Sequence, residues 1–486
     1  MDKDKSDRSE GTKFISQMLA FSIGPIGGAV FSFVASIVAA WLISPEDLGK
    51  VSLFITAITL LTLVANLGLN RSYLREYSVA TDKEKLLFNC VISSLSFSVI
   101  TSVVIVLFSS PISNFLFDNS DILSTIILAI IIPFEVIGEY GVLVCRLKGH
   151  SKKYTISVVV DKISYLAFIV ILFFCGIKEY RNIIYAKALS IVTKSIVNVL
   201  LERSSYRFFG KPDINIIKRI LKYGLPYMPA LICSWILHSM DKYSLRIWST
   251  YTEIGLYASA FSIVSVLTIL RNAFSSFWTP LAYKWYDEGK KNVYFEDVGK
   301  YITTILMVSS ALITLFRNVI YHVYKPEYET AANIMPFLMF VISMETISYV
   351  AGCGINLKRK TIYNSIATII ACLINLIGNY FLVPVWGGVG ASISTGISSV
   401  VFLLVKMLIS RKLWYQFPVS HYLINVVSII TMSSFSLLFN KWWVDLLFVV
   451  WIVFYNIKSI IKLWEFAMKY CRLIFHSKKK IEGQKK

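Results

Sequence analysis

Residues 218–286 read KRILKYGLPYMPALICSWILHSMDKYSLRIWSTYTEIGLYASAFSIVSVLTILRNAFSSFWTPLAYKWY. Just before and into this stretch, Ile216, Ile217, Ile220 and Leu221 stand among Lys218, Arg219 and Lys222, the pattern of a short helix lying in a headgroup layer. An apolar run follows from about Tyr223 to His238. Pro226 and Pro229 fall in its first turns, where the leading amides of a helix lack intrahelical partners anyway. Asp241-Lys242 ends the run, and a second one begins near Ile254 and lasts about 25 residues. A hydrocarbon layer about 30 Å thick takes roughly 20 helical residues to cross. The stretch is a membrane hairpin.

The rest of the chain repeats the pattern. Of 486 residues, 56% are hydrophobic and 16% charged, where a soluble protein carries about a quarter charged. Apolar runs recur near 15–43, 49–69, 87–109, 122–145, 155–175, 182–202, 222–240, 254–279, 299–318, 331–354, 363–384, 388–410, 420–439 and 443–462. That makes an all-α integral membrane protein of about 14 transmembrane helices. The opening MDKDKSDRSEGTK is too charged, and the run after it too long, for a cleavable signal peptide, so the first run reads as a retained span. Seven cysteines (Cys90, Cys145, Cys175, Cys233, Cys353, Cys372, Cys471) are scattered without a CxxC pair, which argues against a disulfide framework or a zinc site. No metal and no cofactor are expected.

Loop charge orients the bundle. The N-terminus, 71–85, 146–153, 202–219, 284–300, 357–360, Arg411-Lys412 and the C-terminal tail hold about 35 Lys and Arg, and the alternate loops about 8. Positive residues accumulate on the cytoplasmic side, so both termini are expected there. The basic tail KYCRLIFHSKKKIEGQKK reads as an orientation signal that also attracts anionic lipid. No folded basic domain accompanies it, so a nucleic-acid partner is not expected.

PEDLGKVSLF, opening the second span, resembles YTEIGLYASAF, opening the eighth, about 206 residues later. Six spans separate them, which suggests two parallel six-helix halves related by an axis along the membrane normal. Several segments also carry a family likeness. LKYGLPYMPA, the DKY after the seventh span, EIGLY, WTP, SFVASIVAAWLISPEDLGKVSLF and AGCGINLKRKTIYNSIATIIACLINLIGNYFLVPVWGGVGAS resemble bacterial polysaccharide flippases over about residues 15–410. Those proteins move undecaprenyl-pyrophosphate-linked O-antigen, capsule or exopolysaccharide units across the inner membrane. They share a superfamily with multidrug and toxic-compound extrusion transporters. The resemblance implies two pseudo-symmetric six-helix bundles plus a C-terminal helix pair. The expected division is a cytoplasmic N-terminus (1–14), a first bundle (15–204), an amphipathic linker (205–221), a second bundle (222–410), the helix pair (411–465) and a basic tail (466–486).

Chemistry should reside in polar residues at membrane depth. Thr59, Thr62, Asn66 and Asn70 share a stripe on the second span, Lys187, Ser190, Lys194 and Asn198 on the sixth, and Ser234, His238 and Asp241 on the seventh. Thr268, Arg271 and Ser275 do so on the eighth, and Asn364, Thr368, Asn375 and Asn379 on the eleventh. Single Ser, Thr or Asn residues can be helix–helix hydrogen bonds, whereas whole stripes suit a shared wet cavity. A charge in the bilayer core costs about 2.5–3.5 kcal/mol even on lenient scales. Arg271, Lys194, Lys187, Asn66, Asn70, Asn375 and Asn379 are therefore the substrate-binding candidates. Glu345, Glu135, Glu139, Asp161 and Asp241 are candidates for ion coupling or charge pairing. Bland readings stand beside these: Lys406 near a span end snorkels, Lys187 does the same outward, Asp161-Lys162 is interfacial, and His238 is a packed histidine. Glu135 and Glu139, four residues apart, either pair with the sixth-span lysines or bind protons or cations.

Arg and Lys suit a pyrophosphate, Arg by a bidentate fork, and Asn, Ser, Thr and aromatic side chains suit sugars. The listing of Lys162, Lys187, Lys194 and Arg271 against Glu135, Glu139, Asp161 and Glu345 gives a balanced interior, not a plainly cationic one. The leading reading is a flippase, not an enzyme, working by alternating access with ion-gradient coupling implied by the resemblance. Its partners would be the lipid-linked oligosaccharide, membrane lipid, and a polysaccharide polymerase and chain-length regulator of the lipopolysaccharide or capsule pathway. A multidrug or cationic small-molecule antiporter is the alternative, with a more acidic interior expected. A membrane polymerase or ligase is the second alternative, and the short outer loops leave it little room.

Overall fold

The structure, a computed structural model, describes residues 24–118, 121–206 and 210–483, with side chains to Glu465. The expected N-terminus (1–14), the first residues of span one (15–23) and the side chains of the tail lie outside the described residues. Every regular element among the described residues is helical.

Among the described residues fourteen membrane-length segments follow in order, each bent pair taken as one and the 52-residue helix as two. The first bundle holds α1 (Gly24–Leu42), α2 (Pro45–Asn66), α3 (Lys83–Leu107), α4 (Ile122–Leu147), α5 (Ser151–Phe174) and α6 (Glu179–Leu201). The second opens with α7 (Met228–Trp248) and α8, whose halves Tyr251–Val264 and Leu267–Asp287 bend by 47°. It continues with α9 (Asn292–Leu315) and α10, a 3-10 turn Pro326–Asn333 bent by 53° into Met335–Ala351. α11 (362–386) and α12 (388–413) form one assigned helix of 52 residues. A straight helix of that length would run nearly 80 Å. Instead Ser394 Oγ donates to the Asn375 carbonyl at 2.8 Å, and Asn375 Nδ2 to Thr395 Oγ1 at 3.0 Å. Residues twenty apart in a straight helix would be about 30 Å apart. The chain therefore turns back at Gly387 (φ 52, ψ −128), a conformation only glycine adopts without strain. α13 (Ser420–Phe439) and α14 (Trp442–Gly483) complete the set.

Some boundaries differ from the expectation: the α8 bend carries no proline or glycine at its break, the α10 bend falls just before Pro336, and α9 begins earlier than the apolar run does. Neighbouring crossings put the lysine-rich loops at one end, called here the basic end. The linker helix Ile214–Gly224 lies at that end, capped by Asp213, whose carboxylate also takes Lys85 at 2.6 Å. Its Ile220 carbonyl accepts Ser72 Oγ at 2.7 Å, Arg219 pairs with Glu76 at 3.1 Å, and Gly224 touches Gly68 backbone to backbone. The linker is thus fastened to the first bundle.

Caps explain the other end. Ser44 accepts from Asp47 N to start α2, and Thr250 accepts from Glu253 N to start α8. The two caps are 206 residues apart, as are Gly49 and Gly255 one turn further on. A Cβ on Gly49 would stand 2.0 Å from the Tyr251 carbonyl oxygen, and one on Gly255 would stand 1.8 Å from the Pro45 oxygen. Each glycine thus lies on the residue four before the other. This reciprocal contact is the seam between the bundles, on a local two-fold. Trp41 Nε1 donating to the Val323 carbonyl and Tyr328 OH donating to that of Ile43 close the same end.

The C-terminal pair is bolted to the second bundle. Arg317, after α9, pairs with Asp445 and donates to Asn440 Oδ1 at 3.0 Å, all without solvent contact for the ion pair. Thr304 donates to Asn456, which donates to Asn425 at 2.8 Å, so one buried polar chain links α9, α14 and α13. At the basic end, Glu202 collects Lys148, His150 and Lys153. Burial pushes its carboxyl up, but these hydrogen bonds outweigh burial and hold it below the ordinary range.

Candidate functional site

The first bundle sorts its charges into pairs. Lys194 on α6 donates to both oxygens of Glu135 on α4, at 2.6 and 2.7 Å. Gly138 makes room for it, since a Cβ there would lie 2.6 Å from Lys194 Cε. Asp161 on α5 is buried and receives Lys187 at 3.1 Å and Lys162 at 2.8 Å. Glu139 accepts from Asn66 Nδ2 at 2.7 Å rather than from a lysine. One bland expectation fails here: Lys187 does not snorkel outward, because it pairs with Asp161 inside the bundle. Asn70 also leaves its stripe: α2 stops before Leu67 and Gly68, both with positive φ, and Asn70 lies in the first turn of a short helix, Leu69–Glu76, where its Oδ1 accepts from Arg71 N at 2.8 Å.

The second bundle keeps its polar groups around a cavity of about 120 Å³ lined by Ser234, His238, Glu345, Thr368, Thr395 and Ser398, among others. Arg271, just past the α8 bend, donates to Glu345 Oε2 on α10 at 2.6 Å, each side chain about a quarter exposed. Lys406 on α12 is buried and donates to Ser348 Oγ at 3.2 Å, one turn along α10 from Glu345. It does not snorkel. Gly352, opposite, leaves the space its chain occupies. Arg271 therefore pairs with Glu345 directly, and Lys406 sits one turn away on a serine hydroxyl.

Beneath this lies a second polar knot. Asp241 on α7 is buried, and its Oδ1 accepts from Asn375 Nδ2 at 3.1 Å and Asn379 Nδ2 at 2.8 Å. Its Oδ2 accepts from Thr395 Oγ1 at 2.7 Å and Tyr257 OH at 2.5 Å. A carboxylate in the bilayer that lacks a cation but has four donors is adequately solvated. Asn379 Oδ1 is buried and has no hydrogen-bond partner. Rotation of the two amides would turn carbonyl oxygens toward Asp241, giving an all-oxygen shell that suits a hard cation. Among the described residues no group of three or more His, Cys, Asp or Glu could hold a metal ion, so this shell relies on one carboxylate, two amides and two hydroxyls.

A family model described as "Polysaccharide biosynthesis protein" matches residues 16–284. The chain belongs to that family. Curated proteins similar to this chain include a probable low-salt glycan biosynthesis flippase, Agl15, of Haloferax volcanii. It is 22% identical over 45% of this chain and 44% of its own length. An uncharacterized membrane protein of Methanocaldococcus jannaschii, MJ1068, is 22% identical over 55% of this chain and 56% of its own. The chain thus spans about half the length of the curated relatives it matches. Among solved structures, the lipid II flippase MurJ in an inward closed conformation overlays with a TM-score of 0.70, covering 91% of this chain and 98% of that one at 15% identity. An inward-facing MATE family transporter of the MOP superfamily gives 0.59 over 85% and 96% at 16% identity. The chain is a multi-pass membrane protein with the fold shared by MurJ and the MATE transporters.

Within it the candidates form three separate groups: Glu135, Glu139, Asp161, Lys187, Lys194 and Asn66; Arg271 and Glu345; and Asp241, Asn375 and Asn379. No hydrogen bond joins the first group to the others among the described residues. Sequence reasoning read Lys406 as snorkelling and missed Thr395, Tyr257 and Lys242. The glycine opposite Lys406 was a usable signal, because a small residue facing a lysine on a neighbouring helix marks space for a buried chain. With Lys242 and Lys406 included, Lys162, Lys187, Lys194, Lys242, Arg271 and Lys406 face Glu135, Glu139, Asp161, Asp241 and Glu345, leaving one positive charge in excess.

Proposed function

We propose that this protein moves undecaprenyl-pyrophosphate-linked oligosaccharide units from the cytoplasmic to the external leaflet by alternating access of its two bundles, 15–204 and 222–410. The observation that carries this reading is the Arg271–Glu345 ion pair at the cavity, with the buried Lys406 bonded to Ser348 one turn along α10. A diphosphate can take the place of the single carboxylate, because it offers more charge and more acceptor oxygens to the guanidinium fork. Glu345 then serves as the counter-ion when no substrate is present. Serines and threonines around the cavity suit hydroxyl-rich sugar, and the polyprenyl chain stays in lipid. The likeness to a glycan biosynthesis flippase and to the fold of a lipid II flippase supports the same reading.

Asp241 and its amides supply the coupling site, taking up a proton or a monovalent cation as the bundles rock. The basic end lies in the cytoplasm, in the bacterial inner membrane, and a polymerase with its chain-length regulator receives the product. The protein itself makes and breaks no covalent bond. An antiporter of cationic drugs fits less well, because the intramembrane charge is net positive. Deletion of the gene tests the reading: lipid-linked repeat units should accumulate on the cytoplasmic leaflet and surface polysaccharide should disappear. Normal surface polysaccharide with heightened drug sensitivity would favour the antiporter. Reporter fusions at Lys152 and Gly387 should read as cytoplasmic and external, and a reversed result would overturn the orientation. The further fusion site Asn119 lies outside the described residues.

A further inference from the structure

At the end opposite the basic one, three segments enclose a polar cleft of about 370 Å³. The short helix Arg317–Tyr321 after α9, with its cap His322, brings Asn318 and His322 to one side, since residues four apart share a helix face. The 3-10 turn that opens α10 supplies Glu329, Thr330 and Asn333, and three residues per turn set the last two one above the other. Asn440, between α13 and α14, closes the remaining side. The volume falls in the range of pockets that hold small ligands, about 300–1,000 Å³. The cavity beside Glu345, at about 120 Å³, is much smaller.

The polar groups of this cleft are free and its frame is fixed. Among the described residues the side chains of Asn318, His322, Glu329, Thr330 and Asn333 make no hydrogen bond or ion pair. Asn440 Oδ1 accepts from Arg317 Nη2 at 3.0 Å, which leaves its two N–H donors for a ligand. Arg317 is buried, and it is held by Asp445 and by the carbonyls of Thr314 at 3.0 Å and Ser436 at 3.3 Å. Tyr321 forms the floor, its ring 5.2 Å from that of Tyr324, which lies 6.0 Å from that of Tyr328.

Charge and position narrow the ligand. Among the described residues no lysine or arginine lines the cleft, and Glu329 would repel a phosphate. Amides, a hydroxyl, an imidazole and a carboxylate mix donors with acceptors, the complement of a hydroxyl-rich ring. Trp442 and Trp443, just past Asn440, are exposed in the manner of an interfacial aromatic belt, which sets the mouth at headgroup level. We propose that this cleft is a carbohydrate site, which holds a neutral or amino sugar of the glycan at the outer surface. The inference rests on the transport reading above for the source of the glycan. The sugar is held here while the diphosphate and lipid chain stay in the bilayer, so the site acts after translocation.

The test uses full-length protein in nanodiscs and the free repeat-unit oligosaccharide, cut from its lipid by mild acid so that it carries no phosphate. Saturation-transfer NMR should show binding with a dissociation constant on the order of a millimolar, and Asn318→Ala with Asn333→Ala should weaken it at least about tenfold. Equal binding by the double variant and wild type would overturn the role of the cleft. A nitroxide amino acid at the exposed Val319, beside Asn318, should broaden the resonances of the bound sugar. Binding without broadening would overturn the location, and this arm decides if the double variant fails to fold. Competition by inorganic diphosphate as strong as that of the oligosaccharide itself would overturn the carbohydrate assignment. Wild type that binds no oligosaccharide yet moves the lipid-linked unit between leaflets would overturn this inference alone. Failure of both would overturn the transport reading with it.

Discussion

Gly255→Ala strikes the seam at its tightest point. The new Cβ would stand 1.8 Å from the Pro45 carbonyl oxygen, and in Gly49→Ala it would stand 2.0 Å from that of Tyr251, where ordinary contact begins at 3.4 Å. Both opposing atoms are backbone, so no side chain can swing aside and α2 must part from α8 by about 1.5 Å. Forcing a methyl into such packing costs typically about 1–3 kcal/mol, which lowers the closed population roughly 5- to 150-fold against any state with this seam open. Alanine favours the helix itself by about 1 kcal/mol over glycine, so the loss falls on the contact and not on the helix. Nitroxide amino acids at the exposed positions Glu46 and Thr252 report the separation by pulsed electron resonance. A longer and broader distance distribution is expected in either variant, broader still in the double one. An unchanged distribution together with wild-type export would refute the reasoning.

Arg271→Ala should abolish or strongly reduce export while the protein still inserts and accumulates. Arg271→Lys should rescue only in part, because it keeps the charge and loses the fork; surface polysaccharide against protein level reads both. Arg317→Met leaves Asp445 buried without its cation, for which about 3–5 kcal/mol is the usual cost. Thermal unfolding should show a clear loss, and Arg317→Met combined with Asp445→Leu should recover much of it. Because Glu202 is held below its ordinary pKa, its hold on the 148–153 turn contributes stability at neutral pH and is lost as pH falls below about 4.5 toward the depressed value. Amide exchange in 148–153 should rise over that window, and Glu202→Gln should remove the pH dependence.

The parts of the fold that rest on local chemistry were legible in the chain. Apolar runs long enough for a bilayer gave the crossings, and the twofold recurrence of PEDLG and YTEIG turned out to be the two sides of one contact, Gly49 on Tyr251 and Gly255 on Pro45. The α8 bend was not legible, because nothing at Ser265 breaks a helix and tertiary packing imposes it; the α10 bend had a local mark in Pro336, hidden within an unbroken apolar run. The site divided in the same way. Depth and residue type single out Arg271, Glu345 and Asp241, since charges in apolar runs are visible one at a time. Which charges meet is a property of helix rotation. Arg317 finds Asp445 128 residues away, and Asp241 finds Asn375 134 residues away, and no periodicity in one sequence encodes either pairing. Asn70 misled for a related reason, because two positive-φ residues end α2 before the stripe reaches it.

The measurement that bears most directly on transport is leaflet exchange of a lipid-linked oligosaccharide in proteoliposomes. The purified full-length protein would be reconstituted with an undecaprenyl-diphosphate-linked unit carrying a label that an impermeant reagent quenches from one side. The account predicts protected label becoming accessible only with protein present, faster under an imposed cation gradient, with Asp241→Asn losing that acceleration and Arg271→Ala losing the movement. Wild-type protein that leaves the label in its original leaflet under every gradient, while extruding an organic cation from the same vesicles, would contradict it.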